Sequence, residues 1–414
     1  MRRLAAAVAL VVSASAIGGA PAVGDPAPGD RVLAGYRILT PDLRPRPGPT
    51  GPSRVFQGVV GYAAYAAEVP AAWNGSLVLV AHGWVEGSDV LVADAPGWGM
   101  RAHLIDAGFA WAASSYFDNG YDVRAGVLST HDLVAQLAPI IGHPTSIYLL
   151  GVSMGGQIAA ELLDRFPTTY RGALVLCGVL GGGAMFDSLA DVNLLAATLD
   201  PADPVARVQF DAIVARRTGG ERPAVTSSIA YWLPRLLGRW HPDAPGPLAA
   251  NPSRLGGNVH TVYEPNAPID VDATIARHAP TDGAVRSSRW LTESPVIVGR
   301  PRVPVLTLHD IGDLFVPLSM EQDYAAALAK HHRASLLVQR SIRAAGHCEF
   351  TDNEVTRAWD DLVSWTSSGA RPAGDAVTDP AAVGDPSFGC RFTDADAPAS
   401  VTGVVFESCS PRSG

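Results

Sequence analysis

Positive charge is scarce in this sequence, and nowhere does it form a run. The 414 residues include 31 Lys and Arg against 40 Asp and Glu, which gives a formal net charge of -9 at pH 7. Nucleic acids are bound largely through clustered positive charge, so we expect no nucleic-acid partner. Charged residues are only 17% of the chain and apolar residues 47%. This composition excludes intrinsic disorder and predicts a large buried core.

Motifs for metal or phosphate binding are also missing. The sequence contains no H-E-x-x-H, no C-x-x-C and no P-loop. The glycines at 181–183 lack the Lys-Ser/Thr pair of a phosphate-binding loop. We therefore predict that the protein uses no metal and no cofactor.

Beyond its first residues the sequence has no apolar stretch of the roughly 20 residues needed to span a membrane. The chain begins with Met and two arginines, continues with an apolar stretch at 4–16 and then has small residues. This order is typical of a secretory signal peptide, which we predict over residues 1–22. Residues 14–16 fit the A-x-A cleavage pattern, and Ala20 and Ala22 are alternatives. The expected mature protein is secreted and has no transmembrane segment.

Cysteine is limited to four residues, which suits an oxidising compartment. Cys390 and Cys409 lie in a C-terminal stretch rich in Gly, Pro, Asp and Ser, with little apolar material for a core, and we predict that they form a disulfide. Cys177 ends a predicted strand, and Cys348 directly follows His347. These two are either a second disulfide, which would tether the loop that carries His347, or two buried free thiols.

Short apolar runs alternate with helical patterns along most of the chain. Runs rich in Val, Leu and Ile predict strands at 54–69, 76–81, 146–150, 172–177, 303–308 and 335–342. Helical periodicity predicts helices at 97–107, 128–141, 155–166, 320–331 and 353–365. This alternation indicates an α/β fold in which helices flank a mostly parallel sheet.

The alternation stops between residues 181 and 301, where Leu, Ala, Trp and Pro are frequent but no buried strand is evident. A stretch of this length is too long for a loop. We predict a mainly helical cap inserted between two sheet strands, over the edge of the sheet where open α/β folds bind ligands. The core is then divided into 31–180 and 302–368, and residues 369–414 form a C-terminal extension.

The pentapeptide Gly151-Val152-Ser153-Met154-Gly155 joins a predicted strand to a predicted helix. Hydrolysis of an ester or amide needs a strong nucleophile, a base and donors for the developing oxyanion. A serine in a tight strand-to-helix turn has its hydroxyl raised above the sheet, beside a helix N-terminus that favours negative charge. G-x-S-x-G alone is too common to decide, but its place between a strand and a helix predicts Ser153 as the nucleophile.

The segment 151–155 resembles the nucleophile elbow of the α/β-hydrolase superfamily. The resemblance covers roughly residues 58–367, with the cap as the variable part, and implies an α/β-hydrolase fold. His82-Gly83-Trp84 resembles the His-Gly-x loop of that superfamily. By this resemblance the backbone N–H groups of Trp84 and Met154 form the oxyanion hole. His82 is then expected to brace the loop, with a direct catalytic role as the alternative.

The same resemblance points to the acid. Residues 303–317 are similar to the strand, turn, Asp and x-x-Val-Pro segment of the superfamily. This similarity implies Asp313 as the acid that orients the base. Asp310, at a position where relatives often have glycine, remains an alternative.

The base is expected last in the chain. Residues 344–347, Ala-Ala-Gly-His, resemble the terminal Gly-His loop of the superfamily, which implies that His347 takes the proton of Ser153 while Asp313 holds its tautomer. The order Ser, Asp, His is the order expected of this fold. His331 and His332 end a predicted helix, where cations interact well with the dipole, and we expect them to be structural.

These assignments favour a secreted serine hydrolase of the esterase or lipase type, which cleaves a small-molecule or lipid-like carboxylic ester through an acyl-enzyme. Two alternatives stay open: an exported aminopeptidase or prolyl-peptidase relative with the same triad, and a non-catalytic binding protein on a hydrolase scaffold. The aromatic segment 231–240 of the cap either lines a substrate pocket or packs the cap onto the sheet. The substrate-binding residues and the oligomeric state are left open.

Overall fold

The computed structural model describes residues 32–48, 50–263, 268–395 and 400–409. The predicted signal peptide at 1–22 lies outside the described residues, and so does residue 31, where the predicted core begins. Within the four described ranges, no helix combines the length and the apolarity that a membrane span requires.

Eight of the described strands form one twisted sheet at the centre of the protein. The strands are β1 (Arg37–Leu39), β2 (Arg54–Val60), β3 (Ala63–Val69), β4 (Ser76–Ala81), β5 (Val90–Val92), β6 (Ala110–Ser114), β7 (Ser146–Val152), β8 (Gly172–Leu176), β9 (Val305–Asp310) and β10 (Leu337–Ile342). Their order in the central sheet is β10-β9-β8-β7-β4-β6-β3-β2, and β1 pairs with β5 separately. Strand β3 runs antiparallel to both neighbours, whereas all other adjacent pairs of the sheet are parallel.

The strands in the middle of this sheet are buried along almost their whole length, as their continuous apolar runs predict. The stretch 54–69, predicted to be strand, contains two strands and a turn. It is divided into the hairpin of β2 and β3 by Gly61 and Tyr62, whose φ angles are 57° and 70°. Two consecutive residues in the left-handed region form the tight turn whose twist suits a hairpin.

The described helices cover both faces of the sheet. They are α1 (Met100–Asp106), α2 (Val123–Ile141), α3 (Met154–Arg165), α4 (Ala184–Leu199), α5 (Pro204–Arg217), α6 (Val225–Leu236), α7 (Val271–Thr274), α8 (Gly283–Arg286), α9 (Ser319–Lys330), α10 (Asp352–Ser368) and α11 (Pro380–Val383). Side chains of α2, α3 and α9 belong to the core on one face, and those of α1 and α10 to the core on the other. The predicted α/β fold with a mostly parallel sheet is therefore confirmed.

Helices α4 to α8 lie between β8 and β9 in the chain, where the helical insertion is expected. This region has a hydrophobic core of its own, in which Phe210, Ile213 and Trp232 are buried. Leu314, from the loop after β9, belongs to the same core. The insertion therefore packs directly on the loop that follows β9.

The C-terminal extension runs along β10, the edge strand of the sheet. The N–H of Asp375 donates to the carbonyl of Gln339 at 2.7 Å, and its carboxylate accepts the N–H of Ser341 at 2.8 Å. Arg343, just after β10, donates to the carbonyls of Phe388 and Glu407 at 2.8 and 2.6 Å. The extension thereby pairs with backbone groups that an exposed edge strand would leave open.

Candidate active site

Ser153 occupies a sharp turn between β7 and α3. Its φ and ψ are 57° and -120°, a strained conformation for a residue with a side chain. The turn is fixed from both sides, because its N–H donates to the carbonyl of Leu176 and its carbonyl accepts the N–H of Val179, each at 3.0 Å. The strand, the turn and the helix predicted around Ser153 are all present.

The glycines of this turn are required by close contacts of the backbone. A Cβ atom on Gly155 would lie 2.0 Å from the carbonyl oxygen of Ala81, at the end of β4. A Cβ atom on Gly151 would lie 2.4 Å from the carbonyl oxygen of Gly155. No side chain can be accommodated at such distances, so the spacing G-x-S-x-G follows from the way in which β4, β7 and α3 meet.

His347, in the loop after β10, lies between Ser153 and Asp313. Its Nε2 is 2.9 Å from Oγ of Ser153, and its Nδ1 is 2.6 Å from Oδ2 of Asp313. The side chain of Asp313 is fully buried and that of His347 is 8% exposed. An ionised carboxylate only accepts hydrogen bonds, so a neutral imidazole here carries its proton on Nδ1 and presents Nε2 as the acceptor for the serine hydroxyl.

Asp313 is held by backbone donors as well as by His347. Its Oδ1 accepts the N–H groups of Phe315 and Val316 at 2.8 and 3.1 Å. The buried guanidinium of Arg222 donates to the carbonyl of Ile311, two residues before Asp313, at 2.5 Å. Burial lowers the pKa of Arg222 to about 10, so this group is still cationic at neutral pH and its charge acts on Asp313. Asp313 is thus held in one orientation, with Oδ2 free to face His347.

Asp310, the alternative acid, points elsewhere. Its Oδ2 accepts the N–H of Glu349 at 2.7 Å, and its Oδ1 is buried without a hydrogen-bond partner among the described residues. Burial, and then the negative charge of Asp313, raise the pKa of Asp310 well above its usual value. The structure thus brings Asp313, and not Asp310, to the imidazole of His347.

The loop expected to contribute to the oxyanion hole lies against Ser153. A Cβ atom on Gly83 would be 3.1 Å from Cβ of Ser153 and 3.5 Å from its Oγ, so Trp84 follows a residue that touches the serine. Met154 is the first residue of α3, and the first N–H groups of a helix have no acceptor within that helix. Both backbone groups assigned from the sequence therefore belong to segments next to the serine hydroxyl.

The remaining histidines singled out in the sequence make other contacts. Nδ1 of His82 donates to the carbonyl of Gly83 at 2.7 Å, and its ring stacks on Tyr116 with the centroids 3.9 Å apart. Burial lowers the pKa of His82, which favours its neutral form. His331 and His332 follow α9, where Nδ1 of His331 accepts a hydrogen bond from Arg300 at 3.3 Å.

Both pairs of cysteines form disulfides. Cys390 is bonded to Cys409, as predicted, and Cys177 is bonded to Cys348, the pairing that the sequence left open. The sulfur atoms of Cys177 and Cys348 and a ring nitrogen of His347 all lie within 4.8 Å of one another. The second disulfide therefore ties the loop of His347 to the end of β8, directly beside the imidazole.

Two aromatic residues next to this site have no motif in the sequence. Trp232 in α6 is buried, and its Nε1 donates to the carbonyl of Ala345 at 2.7 Å, two residues before His347. The ring of Phe315 stacks on that of Trp232 and has its centroid 5.4 Å from that of His347. The only signal for Trp232 in the sequence is its place in the aromatic segment 231–240.

Comparison with known proteins gives one relative and many similar folds. No protein-family model matches the chain. Among curated proteins, it is 26% identical over 304 residues to an o-phthalyl amidase from Xanthobacter agilis. That alignment covers 70% of this chain and 64% of the relative, so the chain spans less than two thirds of the length of the curated relative that it matches.

Two solved structures illustrate the similar folds. Feruloyl esterase B from Aspergillus oryzae is 14% identical with a TM-score of 0.43, covering 78% of this chain and 81% of that chain. Proline iminopeptidase from Mycobacterium smegmatis is 15% identical with a TM-score of 0.40, covering 77% of this chain and all of that chain (100%).

From β4 in the middle of the sheet, later strands of the chain are added on both sides. Strand β3, next to the edge strand β2, runs antiparallel to its neighbours. A strained serine follows β7, an aspartate follows β9 and a histidine follows β10, and all three side chains meet at the carboxyl ends of the parallel strands. The chain is therefore a protein of the α/β-hydrolase fold.

Proposed function

We propose that the protein is a secreted serine hydrolase that cleaves carboxylic esters through an acyl-enzyme on Ser153. The observation that carries this proposal is the continuous hydrogen-bonded series from Oγ of Ser153 through His347 to Asp313. A nucleophile, a base and a buried acid that orients the base are the groups that acyl transfer to a serine requires. The expected substrate is a small-molecule or lipid-like ester.

The first half of the reaction forms the acyl-enzyme. Nε2 of His347 takes the hydroxyl proton of Ser153 while Oγ attacks the carbonyl carbon, and Asp313 stabilises the imidazolium that results. The carbonyl oxygen becomes an oxyanion, for which we assign the N–H groups of Trp84 and Met154 as donors. Such donors are fixed before the charge develops, so they need no reorganisation during the reaction. The tetrahedral intermediate then breaks the bond to the alcohol, which leaves with the proton from His347.

The second half hydrolyses the acyl-enzyme. His347 is again neutral after the alcohol has left, so its Nε2 can take a proton from water while the water oxygen attacks the acyl carbon. The second tetrahedral intermediate releases the carboxylic acid, and the proton on His347 returns to Oγ of Ser153. Neither half, as written, calls for a cofactor.

A fluorophosphonate probe tests this proposal directly, because it reacts with a serine that an adjacent base activates. The mature protein should be labelled stoichiometrically, and Ser153→Ala should abolish the labelling. Ser367→Ala, which changes an exposed serine near the end of α10, is the matched control and should be labelled like the parent. Labelling that persists in Ser153→Ala would refute the assignment, and a wild-type protein that is not labelled would favour the non-catalytic binding protein.

An amide substrate is the second candidate, because the curated relative of this chain is named an o-phthalyl amidase. The same three side chains serve both reactions, since ester and amide hydrolysis share the acyl-enzyme and differ in the leaving group. This candidate also includes the exported peptidase considered from the sequence. Fold similarity does not separate these substrates.

The two candidate functions predict different preferred substrates, an ester with an alcohol as the leaving group or an amide with an amine. We would compare kcat/KM for p-nitrophenyl esters of increasing acyl length with kcat/KM for aminoacyl anilides and an o-phthalyl amide. Higher kcat/KM for the esters supports the proposed function. Faster cleavage of any amide than of every ester would replace it with the amidase or peptidase alternative.

Secretion is part of the proposal and has its own support. The predicted signal peptide at 1–22 is joined by two disulfides in the described chain, and disulfides persist mainly in oxidising compartments. Expression with the full N-terminus should release protein into the medium with a new N-terminal residue at or near position 17, 21 or 23, as N-terminal sequencing would determine. Retention inside the cell with Met1 in place would contradict export.

A further inference from the structure

Within the loop of His347, the side chain of Glu349 accepts a hydrogen bond from the backbone just before the histidine. Oε2 of Glu349 accepts the N–H of Gly346 at 2.8 Å. The carboxylate lies so close that a Cβ atom on Gly346 would be 2.7 Å from Oε2. The glycine before His347 is thus explained by the side chain of Glu349, which fills the space where any other residue would have its Cβ.

The C-terminal extension supplies the other donors to this carboxylate. The N–H of Val401 donates to Oε1 of Glu349 at 2.8 Å, and the hydroxyl of Ser400 donates to Oε2 at 3.0 Å. Both residues belong to the segment that the disulfide between Cys390 and Cys409 closes into a loop. Glu349 therefore joins the loop of His347 to the disulfide-closed loop of the extension.

The extension is attached on both sides of His347. Before it, Arg343 donates to two carbonyls of the extension, and its own N–H donates to Thr393 at 2.8 Å. After it, the hydroxyl of Thr351 donates to Asp394 at 2.6 Å. The extension is therefore bonded to the chain before and after His347, in addition to its contacts with Glu349.

Catalysis requires this loop to be held accurately. His347 has to keep two short hydrogen bonds, to Ser153 and to Asp313, which come from different strands. Without the donors of the extension, Glu349 would keep only the N–H of Gly346 among these contacts and would turn towards water. A displacement of the order of 1 Å at a catalytic group is enough to lower a rate about 100-fold.

We propose that the C-terminal extension is a positioning element for the base, and that it acts through Glu349 on His347. This inference rests on the proposed function of His347. Glu349 is a positioning residue in it, because it contacts the backbone beside the base and not the substrate.

Three variants test the inference in the full-length protein. Glu349→Ala should lower kcat about 10- to 100-fold with little change of KM, and Glu349→Gln should lower it less because one acceptor oxygen is kept. Asn353→Ala is the matched control, since it removes one hydrogen bond to Asp394 (2.8 Å) while Thr351 and Arg357 still hold Asp394, and Asn353 does not contact Glu349. Its kcat should stay near that of the parent.

A double-mutant cycle separates action through Glu349 from general stabilisation. Cys390→Ser with Cys409→Ser opens the extension loop and should lower kcat in the parent, but should add no further loss to Glu349→Ala. If the double cysteine change lowered kcat as much in Glu349→Ala as in the parent, the inference would be overturned. An unchanged kcat in Glu349→Ala would also overturn it. A loss in Asn353→Ala as large as that in Glu349→Ala would also overturn it.

A second measurement keeps the inference testable if the protein hydrolyses nothing. Proton NMR of the parent should show the strongly downfield line of the proton between Nδ1 of His347 and Asp313. Glu349→Ala should broaden or remove this line, and Asn353→Ala should leave it in place. An inactive, unlabelled parent would refute the proposed function alone, whereas an unaltered downfield line in Glu349→Ala would refute the positioning role alone.

Discussion

Asp313→Asn should remove most of the activity, because its surroundings fix how an amide would lie at this position. Oδ1 of Asp313 accepts the N–H groups of Phe315 and Val316, so the oxygen of an asparagine would stay on that side. Its NH2 group would then face Nδ1 of His347, which is 2.6 Å from Oδ2 in the native protein. An NH2 group only donates, so Nδ1 would have to accept and the ring proton would move to Nε2.

The cost of that tautomer can be estimated from the roles of the two nitrogens. With a proton on Nε2, His347 cannot accept the hydroxyl proton of Ser153 across their 2.9 Å contact. An acid-to-amide change that holds the base in the wrong tautomer lowers kcat by about 10,000-fold, or about 5.5 kcal/mol at the conversion of roughly 1.4 kcal/mol per tenfold. KM should change little, because the side chain of Asp313 is fully buried.

Asp310→Asn is the matched control for this prediction. The raised pKa of Asp310 favours its neutral acid, which an amide resembles in shape and charge. The asparagine would keep an oxygen for the N–H of Glu349. We expect kcat within about threefold of the parent, measured for both variants with the best p-nitrophenyl ester. A collapse of kcat in Asp310→Asn with an active Asp313→Asn would refute the assignment of the acid.

Three further changes probe the frame of the site. Replacing Cys177 and Cys348 together by Ser should lower the free energy of unfolding, measured with urea, by about 5 kcal/mol in the chain-entropy model, since the bond has a sequence separation of 171. Burial raises the pKa of Glu161 from 4.5 to about 7. A carboxyl whose pKa is raised by folding favours the native state below its unfolded pKa and loses that contribution as the pH rises through its folded pKa. Glu161→Gln should therefore weaken the fall of stability between pH 4.5 and 7, as urea unfolding across that range would show. Gly155→Ala should abolish fluorophosphonate labelling, because its Cβ would overlap the carbonyl of Ala81.

Specific results would contradict each of these three expectations. Equal unfolding free energies with and without the Cys177–Cys348 bond would contradict the expected stabilisation by restriction of the unfolded chain. If the unfolding free energy of Glu161→Gln had the same pH dependence as that of the parent, folding would not change the pKa of this carboxyl. Normal labelling of a folded Gly155→Ala would show that the turn at Ser153 can open without harm to the site.

The sequence predicted those parts of the candidate site whose structure depends on residues that are neighbours in the chain. Ser153 follows a buried apolar strand and precedes a helix, and the glycines two residues before and after it permit the close backbone contacts of the turn. The buried strands were recognisable for the same reason, since a parallel strand covered on both faces has to be apolar throughout. The turn at Gly61 and Tyr62 was missed because the apolar and small residues on both sides of it continue without a polar break.

The choice between Asp310 and Asp313 could not be made from the sequence. Asp310 is the last residue of β9, Asp313 lies three residues beyond it, and both are buried. What separates them is the backbone after β9, where the N–H groups of Phe315 and Val316 capture one oxygen of Asp313 and leave the other for His347. A difference that depends on the direction of two N–H groups leaves no trace in residue types or spacing.

His347, the proposed base, depends on contacts with distant parts of the chain. It lies 194 residues from the nucleophile that it contacts, and each such contact has to overcome the entropy of closing a long loop. The base loop is accordingly bonded to the sheet through Cys177, to the insertion through Trp232 and to the extension through Glu349. None of these three attachments contributes a reacting atom. They hold a short loop, which has no regular hydrogen bonding of its own, to the accuracy that two hydrogen bonds of the imidazole require.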